Sequence, residues 1–148
     1  PRRYSSAASD VYKRQLIMTK NFIYKFRIYY EDTDSGGVVY YANYLKYLER
    51  ARSEAIYSLG LTNTKLRKDY GTLIIVKSCN IEYKKPAKFE DELEIISSVL
   101  TKTKTSFTMK QIIKKHEELI SEADVQLVTV NKEGKPVKIP EILEKFLN

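Results

Sequence analysis

Residues 43–60 read NYLKYLERARSEAIYSLG. Tyr44, Leu45, Leu48, Ala51, Ala55, Ile56 and Leu59 recur at spacings of three and four, while Lys46, Glu49, Arg50, Ser53 and Glu54 take the other side. That spacing predicts an amphipathic helix from Asn43 to Leu59, stopped by Gly60 in the left-handed conformation. At about 1.5 Å per residue it reaches about 26 Å, enough to span a small sheet. Ala51 and Ala55 on its inner stripe leave room for a sheet backbone to come close.

Outward from this helix the chain is β in texture. Before it, Phe22, Tyr24, Phe26, Ile28 and Tyr30 alternate with Ile23, Lys25, Arg27 and Tyr29, the period of a strand with one apolar face. After it, a short polar helix is expected over Thr64 to Asp69, ended by Gly71. Strands are then expected over Leu73 to Tyr83, Glu92 to Lys102, Ser106 to Lys115 and Ala123 to Lys132, all rich in Ile, Val, Thr, Tyr and Phe. Pro86 separates the first pair, Gly134 and Pro136 close the last strand, and Pro140 opens a terminal helix over Glu141 to Leu147. Consecutive strands with no helices between them imply a mostly antiparallel sheet packed on the single long helix, an α+β fold. A sheet curled around one helix keeps an uncovered edge or face, so a second copy is expected to cover it.

The 148 residues, with 43% hydrophobic and 11% aromatic content, suit one domain with a real core. The longest apolar runs, such as Leu73 to Val76, fall far short of the roughly 20 residues that cross a bilayer. One cysteine, Cys79, excludes an internal disulfide, and one histidine, His116, leaves no Cys/His zinc cluster. Residues 1–17 lack apolar periodicity and read as a non-native or disordered leader, with Met18 the better natural start and a transit peptide the functional alternative. Arg2, Arg3, Lys13 and Arg14 against Asp10 give that leader +3 of the net charge of +7, leaving +4 on residues 18–148, read as one domain. Such a balance does not point to nucleic acid, because the lysines alternate with Asp and Glu.

Between the first strand and the long helix lies YEDTDSGGVVY, residues 30–40. It delivers Asp32 and Asp34 to the helix entrance, and Gly36 and Gly37 permit backbone conformations closed to other residues. The first helical amides lack internal partners and sit at the positive end of the helix dipole. Such an end can polarise a carbonyl oxygen, and a nearby carboxylate can activate water or attack directly. These are the parts of a hydrolase for an activated ester. The plainer reading makes Asp32 or Asp34 a helix cap or turn residue. A calcium loop fails, since Gly36 and Asn43 stand where oxygen ligands belong. Cys79 reads as a small packed residue of an apolar strand, and His116 as a solvated strand end or turn. No G-x-S-x-G elbow, P-loop or G-x-G-x-x-G is present.

Residues 30–40, followed by Ala42-Asn43-Tyr44 and Glu49-Arg50-Ala51-Arg52, resemble the hot-dog-fold acyl-CoA thioesterases of the YbgC and 4-hydroxybenzoyl-CoA type. The likeness continues through Glu82-Tyr83, Pro86-Ala87 and Asp91. It implies a curved antiparallel sheet wrapped around one long helix, in homodimers that often pair into homotetramers. It implies Asp34 as catalytic nucleophile or general base, and the backbone N–H near Tyr41 as the group that polarises the thioester carbonyl. YbgC-like members carry histidine where this chain has Tyr41, whereas the 4-hydroxybenzoyl-CoA group has tyrosine. Substrate-binding positions implied are Tyr30, Gly37 and Val38 at the site, with Lys102 and Lys104 for the coenzyme phosphates. The resemblance calls for no cofactor or metal, a cytoplasmic location, and acyl-CoA as substrate, with acyl carrier protein thioesters as an alternative. A catalytically silent acyl-CoA or acyl carrier protein scaffold of the cell-envelope machinery is the competing function.

Overall fold

The computed structural model describes residues 20–148, so the expected leader over 1–17 lies outside the described residues. Five strands form one antiparallel sheet: β1 (Asn21–Arg27), β2 (Leu73–Tyr83), β3 (Glu92–Lys102), β4 (Ser106–Lys115) and β5 (Glu118–Val130), in the order β1-β3-β4-β5-β2. Helix α1 (Asn43–Tyr57) packs across one face of it, α2 (Asn63–Tyr70) precedes β2, and a 3-10 turn leads into α3 (Glu144–Leu147). This is the hot-dog architecture, α+β in class.

The sheet's inner face is set by register. Ile95 stands opposite Ile113 and Val99 opposite Met109, and across the next ladder Met109 faces Val125 while Phe107 faces Leu127. These side chains are nearly all buried, and Tyr44, Tyr47, Leu48, Ala51, Ala55 and Ile56 of α1 close over them. Directly beneath the helix the row Ser97–Gln111–Ala123 is small at both ends, which allows a long polar side chain to lie flat under α1. At one end of the core Phe146 stacks on Phe22 at 5.2 Å and meets Phe107 at 5.9 Å, so the terminal helix plugs the sheet. Truncating Ile113, which has no exposed surface, leaves a cavity in the centre of this layer. Ile113→Ala is expected to cost about 2–5 kcal/mol, read as a lower urea midpoint with an unchanged slope.

Several elements depart from the sequence reading. The first strand ends at Arg27 rather than running to Tyr30. The Asp32 carboxylate accepts the Tyr29 amide at 2.8 Å and draws the chain into a 3-10 turn, which leaves Tyr30 79% exposed. The last strand begins at Glu118, five residues ahead of Ala123, because a two-residue turn at His116 and Glu117 (His116 φ 53°) pairs Lys115 directly with Glu118. The helix α1 stops at Tyr57 and Gly60 (φ 76°) marks its left-handed exit. Its buried stripe is rotated: Leu45 is exposed, while Tyr47 is buried. Cys79 is exposed and not a packed core residue, since β2 is an edge strand.

That edge is apolar. Ile75 and Val76 are each nearly half exposed, and they lie on a strand whose outer side pairs with nothing among the described residues. Long unpartnered edges with hydrophobic side chains are rare on isolated domains.

Candidate active site

The acidic stretch folds as a tight hairpin. Thr33 and Val39 form a bridge, the Asp34 amide donates to the Val38 carbonyl at 2.9 Å, and the Gly37 amide returns to the Asp34 carbonyl at 3.0 Å. Gly37 sits at φ 78°, where a side chain is strained. A Cβ on Gly36 would stand 3.2 Å from Asp34 Oδ1, the same oxygen that accepts the Gly36 amide at 2.8 Å. The hairpin therefore fixes one carboxylate oxygen of Asp34 by its own backbone and leaves the other to solvent.

The two aspartates divide their work. Asp32 is structural: besides holding the Tyr29 amide, its carbonyl accepts the Tyr40 amide at 3.0 Å and the Asn43 side chain at 2.9 Å. It thus ties the hairpin to the first residue of α1. The Tyr47 hydroxyl is buried near Asp32 but makes no hydrogen bond among the described residues. Burial, reinforced by that carboxylate, pushes its pKa well above the ordinary phenol value and keeps it protonated. Asp34 is exposed at the hairpin tip.

A second segment, residues 84–91, braces the hairpin from outside. Val38 bridges to Lys88, and the Val39 amide donates to the Ala87 carbonyl at 2.8 Å. The Ala87 amide, with Ala87 wholly buried, donates to the Tyr44 hydroxyl at 3.0 Å. Burial raises the Tyr44 pKa, so this phenol too stays neutral. The segment is itself pinned by Asp91, which accepts the Lys88 amide at 2.9 Å and pairs with Lys115 at 2.8 Å. Tyr44→Phe removes the acceptor of a buried amide and is expected to cost roughly 1–3 kcal/mol in thermal unfolding.

At the mouth of α1 the N-cap is Ala42, with no side-chain cap. The amides of Asn43, Tyr44 and Leu45 bond back to the carbonyls of residues 40–42, the last two at 3.4 and 3.3 Å. The helix entrance is thus less bare than expected. The amide of Tyr41, however, meets no acceptor among the described residues. The Tyr41 side chain is 62% exposed, its carbonyl accepts the Tyr83 hydroxyl at 3.2 Å, and its ring meets those of Tyr40 and Tyr83 edge-on. Tyr30 stacks on Phe89 at 4.1 Å beside the same hairpin.

Of the positions singled out in the sequence, the fold gathers Tyr30, Asp34, Gly37, Val38 and Tyr41 on one hairpin at one end of the sheet. Lys102 and Lys104 lie at the other. Residue 92 pairs with Arg27 beside the hairpin, and the eleven residues of β3 carry Lys102 away from it. There Lys102 holds Glu144 at 2.7 Å and Asn148 at 2.8 Å. The reading of single residues missed the Asn43 and Tyr44 side chains as braces, Phe89, and the Arg52–Gln111 pair, in which Arg52 Nη1 donates to Gln111 Oε1 at 2.9 Å. A glutamine amid Met109, Ile112 and Ile113 on a strand was the available signal for the last.

Comparison with known proteins places this arrangement. Residues 28–147 match the model of the thioesterase-like superfamily. The chain is 35% identical over 131 residues to an acyl-CoA thioester hydrolase YbgC of Escherichia coli O6:H1, covering 87% of this chain and 94% of that one. It is 34% identical over 125 residues to an acyl-CoA thioesterase YbgC of Haemophilus influenzae, covering 84% and 92%. A crystal structure of a protein from Aquifex aeolicus superposes with a TM-score of 0.80 at 31% identity, covering 86% of this chain and 99% of that chain. Fold, hairpin and sequence agree, and the chain belongs to the thioesterase-like superfamily.

Proposed function

We propose that this protein is an acyl-CoA thioesterase, in which Asp34 acts as general base on water or as nucleophile and the Tyr41 amide, with the positive end of α1 behind it, polarises the thioester carbonyl. The observation that carries the reading is local. One rigid hairpin bears a carboxylate with a solvent-facing oxygen and runs directly into an amide that has no acceptor among the described residues, at a helix N-terminus. A donor aimed at the oxygen where charge develops contributes about 10²- to 10³-fold in acyl transfer. The role falls to the Tyr41 backbone amide, which has no acceptor among the described residues, rather than to its side chain. Gly37 and Val38 form the floor that the thioester approaches, and Tyr30 flanks it.

The site is completed by a second copy. Joining two β2 edges antiparallel about a twofold axis continues the sheet and covers Ile75 and Val76. Such a pairing brings the start of one β2, beside the β3–β4 turn, against the end of the other, beside the hairpin. Lys102 and Lys104 of a second copy then lie near Asp34 of the first, where coenzyme phosphates would reach them. A homodimer is the minimal active unit, and a homotetramer a pair of these. No helix among the described residues is long and apolar enough to cross a membrane, and a cytoplasmic location fits a substrate made there. Acyl carrier protein thioesters are the alternative substrate. Free thiol released from a panel of acyl-CoAs tests the assignment. Tight binding of every thioester with no release would favour a silent acyl-CoA scaffold instead.

A further inference from the structure

Tyr83 is the last residue of β2, 42 positions from Tyr41, and its side chain reaches the mouth of α1. Its ring meets the Tyr44 ring at 5.2 Å and 63°, and the Tyr41 ring at 6.4 Å and 88°. Its hydroxyl donates to the Tyr41 carbonyl at 3.2 Å. Partial burial raises the Tyr83 pKa above the ordinary phenol value, so the hydroxyl keeps the proton it donates. Pairing of the β2 edge with a second copy would run through the strand backbone and leave this side chain on α1.

The Tyr41 carbonyl is otherwise weakly held. The helix amide that returns to it, that of Tyr44, does so at 3.4 Å, longer than an ordinary N–H···O bond. The 3.2 Å hydroxyl contact is also long, so the carbonyl is fixed by the two together and by neither alone. The anchors behind them are firm. Tyr44 is buried and its hydroxyl accepts the amide of the wholly buried Ala87 at 3.0 Å. Tyr83 stands opposite Ser121, which has no exposed surface, in the β2–β5 ladder. One residue of the turn between hairpin and helix is thereby tied to two rigid elements. A phenylalanine at position 83 would keep both ring contacts, so what the hydroxyl adds is the hold on Tyr41.

Resting on the thioesterase reading above, we propose that Tyr83 is a positioning residue for the reaction: its hydroxyl fixes the Tyr41 carbonyl so that the amide of the same residue stays aimed at the thioester oxygen. The N–H and C=O of one residue flank a single Cα, so a tether on the carbonyl limits the swing of the amide. The amide itself has no acceptor among the described residues and cannot supply that restraint. Donors aimed at a developing oxyanion act by being oriented in advance, and a misplacement of about 1 Å can cost about a hundredfold in rate. Tyr83 touches no reacting atom in this scheme, and no proton leaves it.

The test compares wild type with Tyr83→Phe, which keeps the ring. Thiol release from acyl-CoA is expected to fall about ten- to a hundredfold in kcat with KM unchanged, because the lost restraint acts in the transition state. The melting temperature and the shape of the pH profile should stay those of wild type. In nitrogen-15 relaxation the order parameter of the Tyr41 amide should drop from about 0.85 to below about 0.6. Wild-type kcat in Tyr83→Phe overturns the proposal, and so does a rise in KM alone, which would make Tyr83 a substrate contact. Loss of one limb of the pH profile overturns it too, since Tyr83 would then exchange protons with the reacting atoms. A slower enzyme whose Tyr41 order parameter is unchanged likewise contradicts the tether. If neither protein hydrolyses any acyl-CoA, the thioesterase reading fails, and the order parameter still decides whether Tyr83 holds Tyr41.

Discussion

Asp34→Asn is expected to release thiol from acyl-CoA about 10²- to 10⁴-fold more slowly than wild type, with its fold and oligomeric state unchanged. The asparagine oxygen can still accept the Gly36 amide at the place where Asp34 Oδ1 does so at 2.8 Å. The hairpin should therefore keep its shape, and only the negative charge that would deprotonate water or attack the thioester is lost. Asp32→Asn provides the contrast. Its carboxylate holds the Tyr29 amide and faces Tyr47, so this substitution is expected to act on stability first and on rate only through the hairpin. Measured rate and unfolding midpoint for the two variants separate chemistry from scaffold. Equal rates for wild type and Asp34→Asn would remove Asp34 from the mechanism.

Breaking the β2 edge should have an effect of comparable size. Ile75→Lys combined with Val76→Lys is expected to convert the proposed dimer to a monomer in sedimentation and to reduce activity to near background. Ile75 and Val76 are 45% and 48% exposed in the single chain. Lysine there costs the isolated subunit little, since surface changes usually fall within about 0.5 kcal/mol. In a paired edge the same lysines would lie against the partner strand, and edge lysines are how natural sheets prevent such pairing. In the proposed dimer activity depends on the pairing, because Asp34 is exposed in one chain and the cleft around it would take atoms from another. Circular dichroism should remain that of the wild type. A fully active monomer would show that one chain builds the whole site.

Much of this fold is legible in the sequence, and for physical reasons. The limits of β2, β3 and β4 coincide with their alternating Ile/Val/Thr runs, because turns with proline or short polar residues end them sharply. Gly60 and Gly71 mark the exits of α1 and its successor because a left-handed residue is needed there. Where local pattern competes with side-chain capture, it loses. Tyr30 continues the alternation of the first strand, yet the Asp32 carboxylate captures the Tyr29 amide and the strand already ends at Arg27. Residues 118–122, Glu-Leu-Ile-Ser-Glu, look like a charged loop, but the His116 turn gives them a partner strand. Leu45 and Cys79 look like core residues, and both are exposed because they border the β2 edge.

Of the proposed site, the sequence shows the carriers but not the supports. Asp34 and Gly37 stand out because acids and glycines at a helix entrance are conspicuous, whereas Tyr41 enters only through the family resemblance. The Ala87–Tyr44 brace joins residues 43 positions apart, and the Arg52–Gln111 pair residues 59 apart. No local periodicity encodes such contacts. Lys102 shows the converse: its charge was plain, but its place at the far end of β3, paired with Glu144, follows only from the topology.

The central claim is that Asp34 and the Tyr41 amide address the same acyl carbon. A crystal structure of Asp34→Asn with an intact acyl-CoA tests it most directly. The account predicts the thioester oxygen within hydrogen-bond distance of the Tyr41 nitrogen, the acyl carbon within about 3–3.5 Å of the residue 34 side chain or of one intervening water, and a second subunit closing the cleft. A thioester bound with its carbonyl away from the α1 mouth, or with residue 34 still facing bulk solvent, would contradict it.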